Sequence, residues 1–381
     1  MNPLLPPGQT AYWERVARFA REELSDDIEA RDQAMRFSRS DWDCCGGFGL
    51  AGLPVPVEYG GYGTDMVTTM VAFDALGYAC RDNGLIFSIG AHLWSCVMTV
   101  LRFGSPEQKQ RYLPGLAAGT LIGAHAMTEP GTGSDAFAAR TTAEPAGGGW
   151  LLNGEKTFIT NAPVADVFVT FAVSTLRRGP FGLTCFLADA SAPGLKVGPA
   201  IPKMGLRTSP MASVSFRDCF VPASSVLGTP GMGMAIFNAA IHLERAYILA
   251  STLGTMQRQI ERSALAWRGQ PPDGRSRPER DLVPDRLGGM AARSHGSRLV
   301  GYDLAHRMDR GRTGPEESAL VKVMLSEAFL DNSRDAWDNE SALGPWPTGD
   351  SERELRDALA SRIYSGTNEI LRDIIARDIG S

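Results

Sequence analysis

The chain of 381 residues is predicted to fold as an α+β, multi-domain protein with two helical regions flanking a small all-β one. Apolar residues recur at helical spacing up to about residue 122 and again from Gly231 onward. Between them, short β-rich runs are separated by Gly and Pro. The length suits two to three domains with a large interior. The expected partition is an N-terminal helical domain at 1–122, a middle β domain at 123–228 and a C-terminal four-helix bundle at 229–381.

The helices and strands follow in order. Tyr12, Val16, Phe19, Ala20 and Leu24 lie on one helical face behind a Pro-rich lead. The stretch 52–65 reads as a loop, with Asp65 placed to cap the next helix. Ser105-Pro106-Glu107-Gln108 is a capping box with proline at the first helical position, and Pro114 is expected to end that helix. Trp150–Leu152, the Asn153-Gly154 dipeptide and Thr157–Ile159 predict a hairpin with a type I′ turn. Further strands are expected at 166–173, 182–188 and 213–216. Periodicity leaves open whether the β region is a sandwich or a barrel. Four long helices are then predicted, at 232–266, 281–309, 315–338 and 352–379.

Composition narrows the function. Hydrophobic residues make up 43% and charged residues 21%, with a net charge of −5 and a pI near 5.7, so a nucleic-acid partner is not expected. No apolar run is expected to reach membrane-span length, and a membrane partner is not expected either. The first residues lack a charged then apolar leader. Cys44, Cys45, Cys80, Cys96, Cys185 and Cys219 form no Cys-x-x-Cys pair, so the expected setting is the cytoplasm with reduced thiols. Five scattered histidines give no metal-ligand spacing.

Two stretches carry chemistry. In AMTEPGTGSD, Ala126–Asp135, two glycines permit a tight turn whose N–H groups can face a phosphate or a flat heteroaromatic ring. In the helix at 232–254, apolar nearly all round, only His242, Glu244 and Arg245 can carry charge. A carboxylate in such a helix needs a reason. Adjacent residues point about 100° apart on a helix, so Glu244 and Arg245 do not simply pair. Either each meets an opposite charge on another helix, or Glu244 faces a cavity as a base.

The runs TEPGTGSD, NGEKTFITNA, KMGLRTSP and IYSGTNEILRDIIAR, in that order, resemble the acyl-CoA dehydrogenase family over essentially the whole chain. The resemblance implies that family's fold, matching the helix–β–helix partition, and FAD held between the β domain and the bundle. It implies α,β-dehydrogenation of an acyl thioester, on CoA or on an acyl carrier protein, with a carboxylate taking the α-proton and the flavin taking the β-hydrogen. Most members carry that base in a Tyr-Glu-Gly-Thr motif, which here reads Tyr364-Ser365-Gly366-Thr367. A minority, similar to isovaleryl- and long-chain acyl-CoA dehydrogenases, places it on the bundle helix before an Arg, as Glu244-Arg245 stand here. By resemblance, Ser134, Arg245, His242, Ser365 and Gly366 meet the substrate, with the Ser365 N–H polarising the thioester carbonyl. Met127, Thr128, Ser134, Phe158, Thr160, Thr367 and Glu369 meet FAD, and Thr367 also caps the last helix.

The family's Arg-Lys-x-Phe-Gly segment is replaced by Trp267-Arg268-Gly269-Gln270, and its Gln-x-x-Gly-Gly-x-Gly segment by Asn339–Gly349. Both normally complete a neighbour's cofactor site in a homo-oligomer, a dimer or tetramer. Arg268, Arg275, Arg277 and Arg280 offer a surface for an acidic acyl carrier protein. The electron acceptor is expected to be an electron-transfer flavoprotein or oxygen. Two other readings stand beside the dehydrogenase: a diverged flavin oxidase or epoxidising oxygenase on a carrier-bound acyl group, and a non-catalytic acyl-thioester binder.

Overall fold

The computed structural model describes residues 5, 7–135, 138–174, 182–269, 282–343 and 349–380. The first region holds α1 (Pro7–Glu23), α2 (Ile28–Ala34), α3 (Arg39–Phe48), α4 (Met66–Ala79), α5 (Asn83–Ala91), α6 (Met98–Phe103) and α7 (Pro106–Ala117). A π-helical turn, His92–Val97, joins α5 to α6 into one run. Asp65 caps α4 by accepting the Thr68 N–H at 2.6 Å, and Ser105 and Gln108 form the capping box of α7. That helix does not stop at Pro114. Buried Leu113, Leu116 and Ala117 carry it onward against the core, and Gly119, at φ +72°, turns the chain out.

The run Asn83–Phe103 is long and apolar enough to cross a membrane, contrary to the expectation from sequence. Its most apolar window is 83% buried inside the fold. A helix enclosed by its neighbours on every side has no polar face to keep.

The sheet contains β1 (Gly123–Ala126), β2 (Thr142–Ala146), β3 (Gly149–Thr160), β4 (Val167–Val173), β5 (Leu183–Asp189), β6 (Leu195–Ala200), β7 (Met211–Pro222) and β8 (Val226–Leu227). Its order is β6-β7-β3-β2-β4-β5-β8, with β1 parallel to β4. The predicted hairpin at Asn153-Gly154 is not formed. The strand runs straight through, and the reversal lies earlier, at Gly147-Gly148, both at positive φ, next to the Ala146–Gly149 pair. Gly154 instead sits at a bulge in the β3–β7 ladder. A Cβ there would lie 2.5 Å from Thr141 Oγ1, so the glycine serves a close approach.

The bundle is made of α8 (Gly233–Tyr247), α9 (Thr252–Arg268), α10 (Val283–Asp309), α11 (Pro315–Leu343), α12 (Asp350–Ser361) and α13 (Asn368–Ile379). Two of the four predicted helices are therefore broken. The chain turns at 248–251 between α8 and α9, and at 362–367 between α12 and α13. Apolar periodicity continues across both breaks because the residues there are still buried or half-buried, exposed Ile363 excepted. α9 packs on α4 and α11. Gly77 and Gly254 let α4 and α9 touch backbone to backbone: a Cβ on either would lie under 2 Å from a carbonyl oxygen of the other side.

Candidate active site

Glu244 lies on the last turn of α8 and accepts hydrogen bonds from two serines. Ser95 Oγ, from the π turn, donates to Oε2, and Ser365 Oγ, from the link between α12 and α13, donates to Oε1 at 2.5 Å. Among the described residues no cationic side chain forms an ion pair with Glu244. The first of the two sequence readings of this residue, a salt bridge to another helix, is therefore not what the structure holds.

Arg245 turns to a different task. Its Nε donates to the Ser365 carbonyl at 2.9 Å. Burial pushes its guanidinium below the usual range, with Glu244 pulling the other way. Next along, Lys322 of α11 donates to the Gly366 carbonyl at 3.0 Å and to Asn368 Oδ1 at 2.9 Å. Lys322 is fully buried, and burial together with Arg245 pushes its ammonium down to about 7. Ser365 and Gly366 have φ of +58° and +94°. Two successive carbonyls are thus drawn to two cations. The Ser365 and Gly366 N–H groups meet no acceptor among the described residues. A left-handed pair of residues exposing unengaged N–H groups is the geometry of an oxyanion donor.

The second cluster sits on the sheet. Lys156 Nζ donates to Glu129 Oε1 at 2.7 Å and to the Met127 carbonyl at 3.2 Å. Glu129 also accepts the N–H groups of Arg140 and Thr141 at 2.6 and 3.0 Å. Burial works against charge on Glu129, but Lys156 and these donors outweigh it and hold the carboxyl below its usual range. The TEPGTGSD turn is thereby tied to β3, with the Thr157 N–H on the Thr128 carbonyl at 2.8 Å. Phe158 projects from the neighbouring bulge with φ +57° and its ring 60% exposed, and half-buried Thr160 follows two residues on.

α5 connects the two clusters. Phe87 packs on Tyr364 with centroids 4.5 Å apart, while the carbonyl of the next residue, Ser88, accepts from Asn161 Nδ2 at 3.0 Å. Met127 shares a core with Leu243 and Ala246 of α8.

Most predicted site residues therefore converge, with exceptions. His242 faces α11, bonded to Ser318 Oγ at 2.9 Å, with Thr313 at 3.5 Å. Burial, then Arg102 and Arg245, pushes its imidazole down. Ser134 is exposed on the turn. Thr367 caps α13, its Oγ1 accepting the Ile370 N–H at 3.4 Å. Glu369 is exposed beside it, its carboxyl held down by its own N–H and by Thr367. Arg275, Arg277 and Arg280 lie outside the described residues, as does 344–348, while Arg268 is exposed at the end of α9.

Sequence reading missed Ser95, Lys322 and the Glu129–Lys156 pair. Ser88, His92, Ser95 and Thr99 form a polar stripe at helical spacing in an otherwise apolar run, and that stripe was the available signal.

Three profiles, for the N-terminal, middle and C-terminal domains of acyl-CoA dehydrogenase, match residues 6–120, 124–219 and 231–380. The chain belongs to the acyl-CoA dehydrogenase family. It is an FAD-dependent oxidoreductase acting on the CH–CH bond of an acyl thioester, on CoA or a carrier protein. The non-catalytic alternative falls with this finding. Among its relatives is the L-prolyl-[peptidyl-carrier protein] dehydrogenase of Pseudomonas fluorescens, 37% identical over 96% of both chains. The solved structure of the prolyl acyl carrier protein oxidase AnaB is 38% identical, with a TM-score of 0.94 over 99% of this chain and 100% of that one. PigA with FAD and proline is 35% identical, with a TM-score of 0.93 over 100% and 99%.

The sheet-side cluster fits FAD. Its exposed aromatic ring at a bulge of β3 suits a flat heteroaromatic face. A Cβ added at Gly131 or Gly133 would meet nothing within 4 Å, leaving that turn open to a group lying over it.

Proposed function

We propose that Glu244 takes the α-proton of a prolyl-type acyl thioester borne on a carrier protein. The observation that carries the reading is a carboxylate fixed by two hydroxyls, one of them that of Ser365, and bonded among the described residues to no cation, with the Ser365 and Gly366 N–H groups unengaged there as well. A base must keep a lone pair free of permanent neutralisation, and Glu244 does. The Ser365 N–H receives the thioester carbonyl as negative charge gathers on its oxygen, and Arg245 and Lys322 hold that turn in place. FAD, which Met127, Thr128, Ser134, Phe158, Thr160, Thr367 and Glu369 would hold, would supply the two-electron acceptor for the β-hydrogen. Glu244 retains the α-proton until solvent removes it.

The acyl group comes from the relatives named above, which act on prolyl groups held by carrier proteins. Oxygen is the favoured electron acceptor, since one of those relatives is named an oxidase; an electron-transfer flavoprotein is the other. The same reading takes the enzyme as a cytoplasmic homo-oligomer. Exposed Leu299, Leu320, Met324 and Ile363 on the bundle suit contact between copies.

Visible spectra of the purified flavoprotein, taken anaerobically, test the substrate. Prolyl-carrier thioester is expected to bleach the flavin within the mixing experiment while saturated fatty acyl-CoA leaves it oxidised. Bleaching by fatty acyl-CoA alone would overturn the assignment of the acyl group and its carrier.

A further inference from the structure

The turn between α12 and α13 is held from two helices at once. Arg245 of α8 takes the Ser365 carbonyl at 2.9 Å. Lys322 of α11 takes the Gly366 carbonyl at 3.0 Å and, beyond Thr367, the Asn368 Oδ1 at 2.9 Å. A trans peptide is planar, with its N–H opposite its carbonyl. The two cations therefore set two successive peptide planes, and with them the directions of the Gly366 and Thr367 N–H groups. Ser365, at φ +58°, has a left-handed conformation that a residue with a side chain keeps only under such constraint.

Lys322 and Asn368 are locked together. Asn368 Nδ2 donates to Ser326 Oγ and to Glu327 Oε1, each at 2.9 Å, which leaves its Oδ1 facing the ammonium. The Asn368 N–H donates to the Arg362 carbonyl at 3.0 Å. Lys322 Nζ lies 5.9 Å from the Tyr364 ring centroid. The ammonium is fully buried, and both oxygens it meets are neutral.

No carboxylate balances that charge: among the described residues Lys322 forms no ion pair. Glu327 is committed to Arg372 at 2.6 Å and to Arg362 at 3.2 Å. Glu369 is exposed, 3.9 Å from Arg372. On the α8 side stand Arg245, a second cation, Glu244, bonded to two serines, and His242, bonded to Ser318 one turn before Lys322. The charges that α9 and α10 bring to α11 pair elsewhere along it, Arg262 with Glu340, Arg286 with Asp338, Arg293 with Asp335 and Arg307 with Glu317. From α12, Glu354 is taken by Arg258 and Arg262, and Asp357 by the Leu206 N–H. Burial and Arg245 push the ammonium down to about 7, with Glu327 and Glu369 pulling the other way. A charged donor makes a hydrogen bond about twice as strong as a neutral one. Loss of the Lys322 proton would therefore relax the Gly366 carbonyl and the Asn368 side chain together.

We propose that Lys322 is a positioning residue for the reaction: its ammonium, through Gly366 and Asn368, keeps the N–H groups of the turn facing the thioester oxygen, and its neutral amine does not. This rests on the Ser365 N–H as the donor to that oxygen, proposed above, and adds a charge on which that donor depends. The turn is set while the ammonium is charged and relaxes as the pH rises through its titration.

The test is the limiting rate of anaerobic flavin bleaching between about pH 6 and about pH 9, for the FAD-loaded parent, K322R and K322M. The substrate is whichever of the two thioesters named above bleaches the flavin. The parent rate is expected to fall on the alkaline side with a midpoint of about 7. K322R cannot lose its charge, so it should stay within about threefold of the parent maximum with no alkaline fall. K322M should bleach about 100-fold more slowly at every pH, again with no such fall. Its half-saturation should stay within about threefold of the parent, because the turn serves the developing charge rather than binding. In enzyme labelled with 13C-lysine, the Lys322 Cε signal, identified by its absence from K322M, should titrate with the midpoint of the rate.

An alkaline fall kept unchanged in K322R or K322M would overturn the proposal, as would a K322M rate equal to the parent's. A K322M loss seen only in half-saturation would assign Lys322 to substrate binding and overturn it as well. If Glu244→Gln bleaches like the parent, the reading beneath the proposal fails. If Glu244→Gln is silent while the alkaline fall persists in K322R, this proposal alone fails. Should K322M not fold, N368D decides the question. A carboxylate there would keep the ammonium charged and move the fall to higher pH, and an unmoved fall would overturn the proposal.

Discussion

Glu129 is buried and Glu244 half-buried within one molecule, and their hydrogen-bond donors give them opposite roles. Glu129 meets an ammonium and two backbone N–H groups at once. Every strong donor a carboxylate can use is in place, so it is a fixed charge that fastens a turn to a strand. Glu244 meets two neutral hydroxyls, and the arginine beside it is directed to a carbonyl. Hydroxyls orient a carboxylate without committing it. Burial alone does not distinguish a structural acid from a reactive one; the identity of the donors does.

The largest expected effect is at the reactive end. Glu244→Gln should keep the oxidised flavin spectrum and the melting temperature while slowing anaerobic bleaching by about three to four orders of magnitude. A loss under tenfold would remove Glu244 as the base. At the structural end, Glu129→Gln should instead lower stability by about 3–5 kcal/mol in urea unfolding, because Lys156 is left charged and buried. Glu129→Gln combined with Lys156→Met should regain most of that loss. If the single variant is as stable as the parent, the contrast between the two carboxylates collapses.

Acid should separate the regions as well. His92 Nδ1 accepts the Gly123 N–H at 2.9 Å, so its proton sits on Nε2 and faces the Leu116 carbonyl, also at 2.9 Å. Burial pushes His92 down to about 4, and burial with Lys156 does the same to His125. The ordinary value is 6.5. Between those values the unfolded chain binds protons that the folded chain does not, so stability is complete above pH 6.5 and falls as the pH drops toward 4. Each histidine should account for roughly 3 kcal/mol by pH 4. Since His125 lies in β1 and His92 accepts the N–H of that strand's first residue, hydrogen exchange should speed there before it does in the bundle. Equal exchange in both would mean that neither histidine is held neutral.

The smallest effects concern the serines. Ser95→Ala and Ser365→Ala should each slow bleaching about tenfold with KM little changed. Added to Glu244→Gln, neither should slow it further, because they act through the carboxylate. Full additivity would assign them a merely structural part.

Much of this was legible in the sequence. The helix–β–helix order, the caps at Asp65, Ser105 and Thr367, and the charged residues within an apolar helix all follow from local rules. What failed to show was long-range. Asn153-Gly154 has the composition of a turn, but Asn153 is bonded across to Asp218 and Gly154 is fixed by the approach of Thr141. Pro114 would stop an isolated helix, yet buried neighbours carry this one past it. Ser95 looks like a small residue in an apolar helix, and only the arrival of α8 gives its hydroxyl a partner.

The π turn at His92–Val97 has a consequence for how this run tolerates change. Such a turn accommodates one residue more than the α-helix around it, so the run has the form of a helix carrying a single inserted residue. Deleting that residue would restore an unbroken helix and rotate everything beyond it by about 100° relative to what precedes it. Thr99 and Arg102 would leave their places against Ala239, Ala240 and Leu243 of α8 while His92 stayed on its two backbone partners. A one-residue gap, harmless in an exposed loop, would here undo the packing of α6 on α8.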